Sequence, residues 1–235
     1  MIETIFHWHA FVEIYKEGWG SILIDPFISG NLKTDVSLDQ ILEKKVKAIV
    51  LTHWHSDHLW DTPEIAKKTW CLVIATFELA QYLQNIQWLQ LVHPMHIGGE
   101  YNFGDFSVKF VPAVHGWGIA DLSTPYVTFP AGVIVRIDWK NIYHAGDTGL
   151  TYDMKLLGEY DNIDVAFLPI WWNFTMGIDD AIIATKFIKP KIVVPIHYST
   201  WQVIDADPVE FARKVMLENI SVPKVLNPWQ SVILK

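Results

Sequence analysis

A short apolar run, Ala48–Leu51, leads directly into the segment THWHSDHLWD at residues 52–61. The apolar run predicts a strand that is buried on both faces. Histidines and aspartates crowd the segment that follows, and burying so many polar groups would be costly without a ligand for them to bind. Because loops at strand ends present functional groups, we expect the fold to place this segment at the edge of a sheet.

The rest of the chain alternates strands and helices. We predict further strands at Ile2–Phe6, Ala10–Tyr15, Ser21–Ile24, Leu72–Ala75, Phe106–Val111, Ala131–Ile137, Asn141–Tyr143, Val165–Pro169, Ile192–Ile196 and Ser231–Leu234. We predict helices at Leu38–Lys44, from Thr62 as N-cap to about Thr69, and at Phe77–Gln84, Met154–Tyr160, Ile178–Ile188 and Pro208–Glu218. This order favours a single α/β domain over residues 1–235, with two mixed β-sheets packed face to face and helices outside. A doubly wound single sheet is the competing fold, but its glycine-rich turn after the first strand is missing.

Composition narrows the class of protein. Half of the 235 residues are hydrophobic (51%) and 19% are charged, which is typical of a globular protein. The net charge is −8 and no Lys/Arg cluster is present, so we expect no nucleic-acid partner. With a single cysteine, Cys71, no internal disulfide can form. No signal peptide or apolar run of about 18 residues is visible, so we expect a cytoplasmic protein without a membrane span.

Metal-competent side chains follow several predicted strands. In chain order they are His53, His55, Asp57 and His58 after Ala48–Leu51, His115 after Phe106–Val111, Asp147 after Asn141–Tyr143, and His197 after Ile192–Ile196. Alternate residues of an extended segment point the same way, so His53 and His55 can hold one ion together. Asp57 and His58 can face a second ion, and Asp147 is the candidate bridge between two ions. Imidazole and carboxylate suit zinc first, with manganese or iron as alternatives.

Several motifs together resemble the metallo-β-lactamase superfamily. They are HxHxDH at 53–58, the later His115, AGDTG at 145–149 and PIHY at 195–198. ILIDPFISGN at 22–31, HIGGE at 96–100, NFTMGIDDA at 173–181 and PKIVVPIHY at 190–198 resemble a family of small bacterial metal-dependent hydrolases. That family is similar to the ascorbate-6-phosphate lactonases. The resemblance runs nearly end to end and implies an αββα four-layer sandwich with a dinuclear site at one sheet edge.

The resemblance also implies a role for each matching residue. His53, His55 and His115 match the ligands of a first metal ion, Asp57, His58 and His197 those of a second, and Asp147 the bridge. His9 matches a histidine near the site, with a role towards a ligand or the substrate, or a structural one. Asp25 is expected to orient a ligand histidine, and Asn173 and Thr175 are expected in a loop facing the pocket. His7, His93, His96 and His144 are expected to be structural or to line the pocket.

The expected activity is hydrolysis by a hydroxide that the two ions generate from water at neutral pH. Asp57 would orient this nucleophile and pass a proton to the leaving group. Phosphodiesters and lactones or other esters are the two leading substrate classes. The substrate is expected to be a small molecule, and an anionic one is compatible with bound metal ions. The sequence is also compatible with a homo-oligomer. The alternative function is a non-catalytic metal-binding or sensing module on the same fold.

The chain contains 12 tryptophans, which is a high number. The family that the chain resembles commonly has glycine at the positions of Trp8, Trp54, Trp60, Trp139, Trp171, Trp172 and Trp229, with Trp70, Trp88 and Trp117 as further candidates. Glycine serves where φ is positive or backbones approach closely, and tryptophan does neither cheaply. One hypothesis is that the source reads UGA codons as glycine, whereas the sequence was translated with UGA as tryptophan. The alternative is an unusually aromatic pocket.

Overall fold

The chain forms two compact units, each built on one mixed sheet of seven strands. The computed structural model describes residues 1–116 and 127–235. Unit 1 comprises Met1–Ile97, the described residues of Gly116–Pro130, and Asn227–Lys235. Unit 2 comprises Gly98–His115 and Ala131–Leu226. The prediction of one domain over the whole chain stays a prediction.

Unit 1 contains the first six strands and the fourteenth. They are β1 Ile2–Phe6, β2 Val12–Lys16, β3 Gly20–Ile24, β4 Val46–Val50, β5 Leu72–Thr76, β6 Val92–Met95 and β14 Ser231–Leu234, in the order β14-β1-β2-β3-β4-β5-β6. Its helices are α1 Leu38–Leu42, α2 Ser56–Leu59, α3 Thr62–Thr69 and α4 Phe77–Asn85. Ile49, Val73 and Leu83 lie in its hydrophobic core. Each such side chain contributes about 1.5–3 kcal/mol on burial.

Unit 2 contains the other seven strands. They are β7 Glu100–Asn102, β8 Phe106–Pro112, β9 Ala131–Ile137, β10 Lys140–His144, β11 Val165–Pro169, β12 Ile192–Ile196 and β13 Val222–Pro223, in the order β13-β12-β11-β10-β9-β8-β7. Its helices are α5 Met154–Tyr160, α6 Ile178–Ile188 and α7 Pro208–Glu218, with a short 3-10 helix at Gln202–Ile204. β11 is buried along its whole length, as expected for a strand with parallel neighbours on both sides.

Strand direction decides which side chains meet in each unit. In unit 1, β3, β4 and β5 are parallel, so the residues that follow them lie at one sheet edge. The loop before β2 lies there too, because β2 is antiparallel to β3. In unit 2, β10, β11 and β12 are parallel, and the end of β8 reaches the same edge through β9.

Two expectations need correction. The residues after β4 were predicted to be a loop, but Ser56–Leu59 form the short helix α2, which carries Asp57 and His58. The N-cap of α3 is Asp61 and not Thr62, which is the first residue of the helix. Asp61 directs its carboxylate elsewhere, accepting from the backbone N–H groups of Ile28 and Ser29. Among the described residues, no helix has the length and apolar character that a membrane crossing requires.

Candidate metal centre

Asp25 and His58 form a buried pair in unit 1. Asp25 follows β3, and its Oδ2 lies 2.8 Å from Nδ1 of His58. A carboxylate oxygen accepts, so His58 donates through Nδ1, and its Nε2 is left in the form that can bind a metal ion. Thr52 fixes the carboxylate by donating to it from its backbone N–H and from its hydroxyl group. The sequence prediction gave Asp25 the role of orienting a ligand histidine; the contact with His58 is observed, and the role stays a prediction.

His53 and His55 converge on each other directly after β4. Nε2 of His53 lies 3.0 Å from Nδ1 of His55. Two imidazole nitrogens bound to one tetrahedral zinc ion lie about 3.4 Å apart, because each Zn–N bond is about 2.1 Å long. The second ring nitrogen of His53 lies 3.0 Å from the hydroxyl oxygen of Thr52. The spacing of this pair therefore fits two ligands of the same ion.

Helix α2 holds Asp57 next to His9. Nε2 of His9 lies 3.0 Å from Oδ2 of Asp57, and the His9 side chain is fully buried. Nε2 of His58 lies 3.9 Å from the same Asp57 oxygen. His9 lies in the loop before β2 and has a φ of +61°. His9 therefore contacts a predicted ligand directly.

In unit 2, the carboxylate of Asp147 lies between two histidines. Its Oδ2 is 3.5 Å from Nε2 of His115, and its Oδ1 is 3.2 Å from Nε2 of His197. The exposed fractions of the three side chains are 4%, 7% and 1% in the order Asp147, His115, His197. Asp147 therefore lies next to two other predicted ligands, and its role as a bridge between two ions stays a prediction.

Backbone contacts between loops hold this trio. The backbone N–H of Val114 donates to the hydroxyl group of Thr148, and the N–H of Gly149 donates to the carbonyl of Val114. These bonds fix the loop after β8 to the loop after β10. His115 donates from Nδ1 to the carbonyl of Phe174 at 3.0 Å, which leaves Nε2 facing Asp147.

The loop after β11 supplies contacts rather than ligands. The ring of Trp171 stacks on His197 with centroids 5.3 Å apart and planes at 12°. Thr175 is buried, and its hydroxyl group donates to the carbonyl of Trp171, a bond within the loop. Asn173 is exposed. The predicted role of Asn173 and Thr175 in facing a pocket stays a prediction.

The donor sets in each unit suit divalent metal ions. Ligand atoms of Asp25, His53 and His58 lie within 4.8 Å of one another. Ligand atoms of His9, Asp57 and His58 also lie within 4.8 Å of one another, and so do those of His53 and His55. Imidazole nitrogens that are oriented from behind by a carboxylate or a carbonyl are the usual ligands of zinc in proteins. The residues present in unit 1 therefore fit a metal ion, and His115, Asp147 and His197 of unit 2 are ligands of the same chemical types.

A cavity of about 770 Å³ opens beside the α2 residues. Trp54, Leu59, Trp60 and Tyr82 give it apolar walls, and Lys67 and Lys68 line it as well. His55 and Asp57 also line it, so the cavity and the predicted ligands share side chains within unit 1. A small molecule bound there would contact both.

Two of the histidines without a predicted ligand position, His7 and His144, have hydrogen-bond partners outside the candidate ligand set. His7 is fully buried between Glu13 and Asp35, with ring nitrogens 2.9 Å from each carboxylate. Burial alone would lower the pKa of His7, but the hydrogen bonds to Asp35 and Glu13 outweigh it and raise that pKa. Burial raises the pKa of Glu13, but His7 and Lys44 outweigh it and bring it down to about 2. His144 accepts from the backbone N–H of Gly146 in the loop that leads to Asp147.

Some contacts of the site were not predicted from the sequence. The contact of His115 with the carbonyl of Phe174 could not be predicted, because every residue has a backbone carbonyl and the residue type does not reveal its role. Trp171 next to His197 was considered only as an unusual tryptophan. The proximity of His9 to Asp57 rests on the antiparallel pairing of β2 with β3, which the spacing of residues 9 and 57 does not show.

Comparisons with known proteins show the family to which the chain belongs. The Beta-lactamase superfamily domain matches residues 21–198. A "UPF0173 metal-dependent hydrolase" of Bacillus thuringiensis is 48% identical over 99% of this chain and 100% of its own length. A homologue in Bacillus cereus, also described as a UPF0173 metal-dependent hydrolase, is 47% identical with the same coverage.

Solved structures show the same fold. A metallo hydrolase from the archaeon Ignicoccus hospitalis superposes with a TM-score of 0.88 at 32% identity, covering 100% of this chain and 98% of its own. An isothiocyanate hydrolase from gut bacteria of Delia radicum has a TM-score of 0.76 at 17% identity, covering 99% and 98%, and shows the fold alone. The predicted fold class, two mixed sheets with helices of the metallo-β-lactamase type, is confirmed. On this evidence the chain belongs to the β-lactamase superfamily, within its family of UPF0173 metal-dependent hydrolases.

Proposed function

We propose that this metal-dependent hydrolase cleaves an ester-type bond of a small molecule, in a lactone or a phosphodiester. The observation that carries the proposal is the orientation of ring nitrogens in both units. Asp25 holds His58 by Nδ1, and the Phe174 carbonyl holds His115 by Nδ1, so each ring keeps Nε2 for a metal ion. A purely structural histidine does not need this one-sided arrangement.

We assign the metal ligands as the sequence pattern has them. His53, His55 and His115 would bind one ion, Asp57, His58 and His197 another, and Asp147 would bind both. The geometry within each unit supports the assignment, and zinc fits the donor set best, with manganese or iron as alternatives. When bound, the two ions would lower the pKa of water towards neutrality and offset negative charge on a substrate oxygen.

Asp57 is the proposed proton carrier. Its side chain is 23% exposed, more than Asp25 or Asp147, so it can reach a bound substrate. The N–H of His9 fixes Oδ2 of this carboxylate. Oriented in this way, Asp57 can accept a proton from the nucleophile and pass it to the leaving group.

The cavity in unit 1 supports a small substrate with an apolar part and an anionic group. Trp54, Trp60 and Tyr82 offer flat apolar surfaces, and the ammonium groups of Lys67 and Lys68 favour negative charge. Both proposed substrate classes fit this description. Lactones open to carboxylates, and phosphodiesters carry a charge from the start.

The test is a hydrolysis assay with one panel of lactones and one of phosphodiester esters, on metal-loaded protein. We expect turnover on one panel and a loss of about 10²–10⁴-fold in kcat for Asp57→Ala. Glu218→Ala, at an exposed residue of α7 that does not line the cavity, serves as the matched control. Absence of turnover on both panels, with Asp57→Ala changing only metal affinity, would favour the alternative of a metal-sensing module.

A further inference from the structure

Five tryptophans have a left-handed backbone. Their φ angles are +80° at Trp8, +55° at Trp70, +58° at Trp88, +64° at Trp139 and +67° at Trp229. Positive φ brings Cβ against the following carbonyl, so bulky residues adopt it rarely. The other non-glycine residues with positive φ are Asn, Asp, His, Lys and Ser. The chain has 12 Phe and 8 Tyr, yet no described Phe or Tyr has positive φ, so aromatic character does not explain the pattern.

Trp139 lies in a hairpin turn that favours glycine. β9 and β10 pair with Lys140 opposite Ile137, so Asp138 and Trp139 form a two-residue loop. Both have positive φ, +46° and +64°. This is the type I′ turn, whose preferred sequences are Asn-Gly and Asp-Gly. Trp139 is 99% exposed, so no packing compensates for its conformation.

Trp70 occupies the C-terminal cap of α3. Its φ of 55° and ψ of 30° are left-handed, and its N–H donates to the carbonyl of Ala66. Helices commonly end at a residue in this conformation, and glycine is the usual one. The side chain is 68% exposed.

Trp229 is the third residue of a tight turn. The N–H of Gln230 donates to the carbonyl of Asn227 at 3.0 Å, which closes a four-residue turn over Pro228 and Trp229. Proline at the second position and positive φ at the third define a type II turn, and its third position calls for glycine. Turns of three different kinds therefore each place a tryptophan where glycine belongs.

Other tryptophans of the chain have ordinary backbone angles and can be compared with these five. Trp201 has φ −128° and Trp60 has φ −48°, which any residue adopts. Trp54, Trp171 and Trp172 do not have positive φ either. Trp117 lies outside the described residues. The backbone thus separates two groups of tryptophan, and only one group has glycine geometry.

We infer that the native protein carries glycine at positions 8, 70, 88, 139 and 229, encoded by UGA codons that its source reads as glycine. A translation that reads UGA as tryptophan would place tryptophan at every such codon, whatever the local conformation. Chance substitution of single glycine codons would not concentrate in these five places and would be removed by selection against strained turns. The inference is independent of the proposed function.

The inference is tested by sequencing the gene and by identifying these residues in the native protein. We expect UGA at the codons for positions 8, 70, 88, 139 and 229 and UGG at position 201. Peptide mass spectrometry of protein from the source is expected to show glycine at 139 and 229. Either UGG codons at those two positions or tryptophan in the native peptides overturns the inference.

A stability measurement tests the backbone argument separately. Trp139→Gly, Trp70→Gly and Trp229→Gly are each expected to raise Tm by about 3 °C, because each relieves a left-handed tryptophan. Trp201→Gly is the matched control, since its φ is ordinary, and it is expected to leave Tm unchanged or to lower it. If the three turn variants lower Tm as the control does, these positions are not glycine sites and the inference fails.

Discussion

Nδ1 of His58 lies 2.8 Å from Oδ2 of Asp25, and both side chains are completely buried. Such a carboxylate fixes the ring of a metal-binding histidine and increases its basicity. Replacing Asp25 with alanine should therefore lower metal affinity about 10–100-fold. Competition with a chromophoric chelator measures this. Asp164→Ala, which removes contacts with Lys191 and Asn141 in unit 2, is the control and should leave affinity unchanged. Equal affinities for the two variants would contradict the role of Asp25.

Metal content should follow the proposed ligand set. Protein purified without chelator should contain about two divalent ions per chain by elemental analysis. The double variant His58→Ala/His197→Ala should retain about one, because His53 and His55 remain as a pair. Binding of a single ion by the unaltered chain would refute a dinuclear site.

His9 should act on turnover through Asp57. His9→Leu removes the group that fixes Oδ2 of Asp57, so we expect kcat to fall about tenfold while metal content is maintained. His9→Gln keeps a donor and should recover part of the loss. If His9→Leu releases metal instead, then His9 is a ligand and not a positioning residue.

Stability should depend on pH through Glu13. Its pKa falls from 4.5 in the unfolded chain to about 2 in the folded one, so the stabilisation is present above pH 4.5 and is lost as pH falls towards 2. The pKa of His7 is raised, so its contribution is present below pH 6.5 and is lost at higher pH. Together they favour the folded state most between these limits.

Urea unfolding at pH 6 and pH 3 measures the acid limb. The unaltered protein should lose on the order of 2 kcal/mol from Glu13 over this range, and Glu13→Gln should lose much less. Glu64→Gln, an exposed carboxylate 3.8 Å from Lys68, is the control and should behave like the unaltered protein. Identical pH dependence for the Glu13 and Glu64 variants would show that the buried network is not responsible.

Much of the fold could be predicted because its patterns are local. Ile2–Phe6, Ala131–Ile137, Met154–Tyr160 and Ile178–Ile188 have the predicted boundaries, since each is a continuous apolar or periodic run. β6 and β7 were missed because Val92–Met95 contains His93 and Pro94, and Glu100–Asn102 is exposed. Helix α2 was missed because it is one turn long and consists of site residues.

The candidate site, like the fold, could be predicted only where local sequence patterns indicate it. Each candidate ligand was predicted from its place after an apolar strand, and the structure places these residues at sheet edges, while their role as ligands stays a prediction. Contacts between residues distant in the sequence could not be predicted. Examples are the hydrogen bond from His115 to the carbonyl of Phe174 and the stacking of Trp171 on His197. The backbone angles of the tryptophans were equally invisible, although the family resemblance pointed to the positions.

The pairing of β1 with β14 has a consequence for synthesis on the ribosome. Thr4 lies opposite Val232, so the sheet of unit 1 gains its edge strand only after 228 further residues have been translated. Until then β1 presents unpaired backbone groups, which other chains can capture. The nascent protein therefore has an interval of exposure that a helical protein of equal length avoids, and fast or crowded expression should favour aggregation over folding.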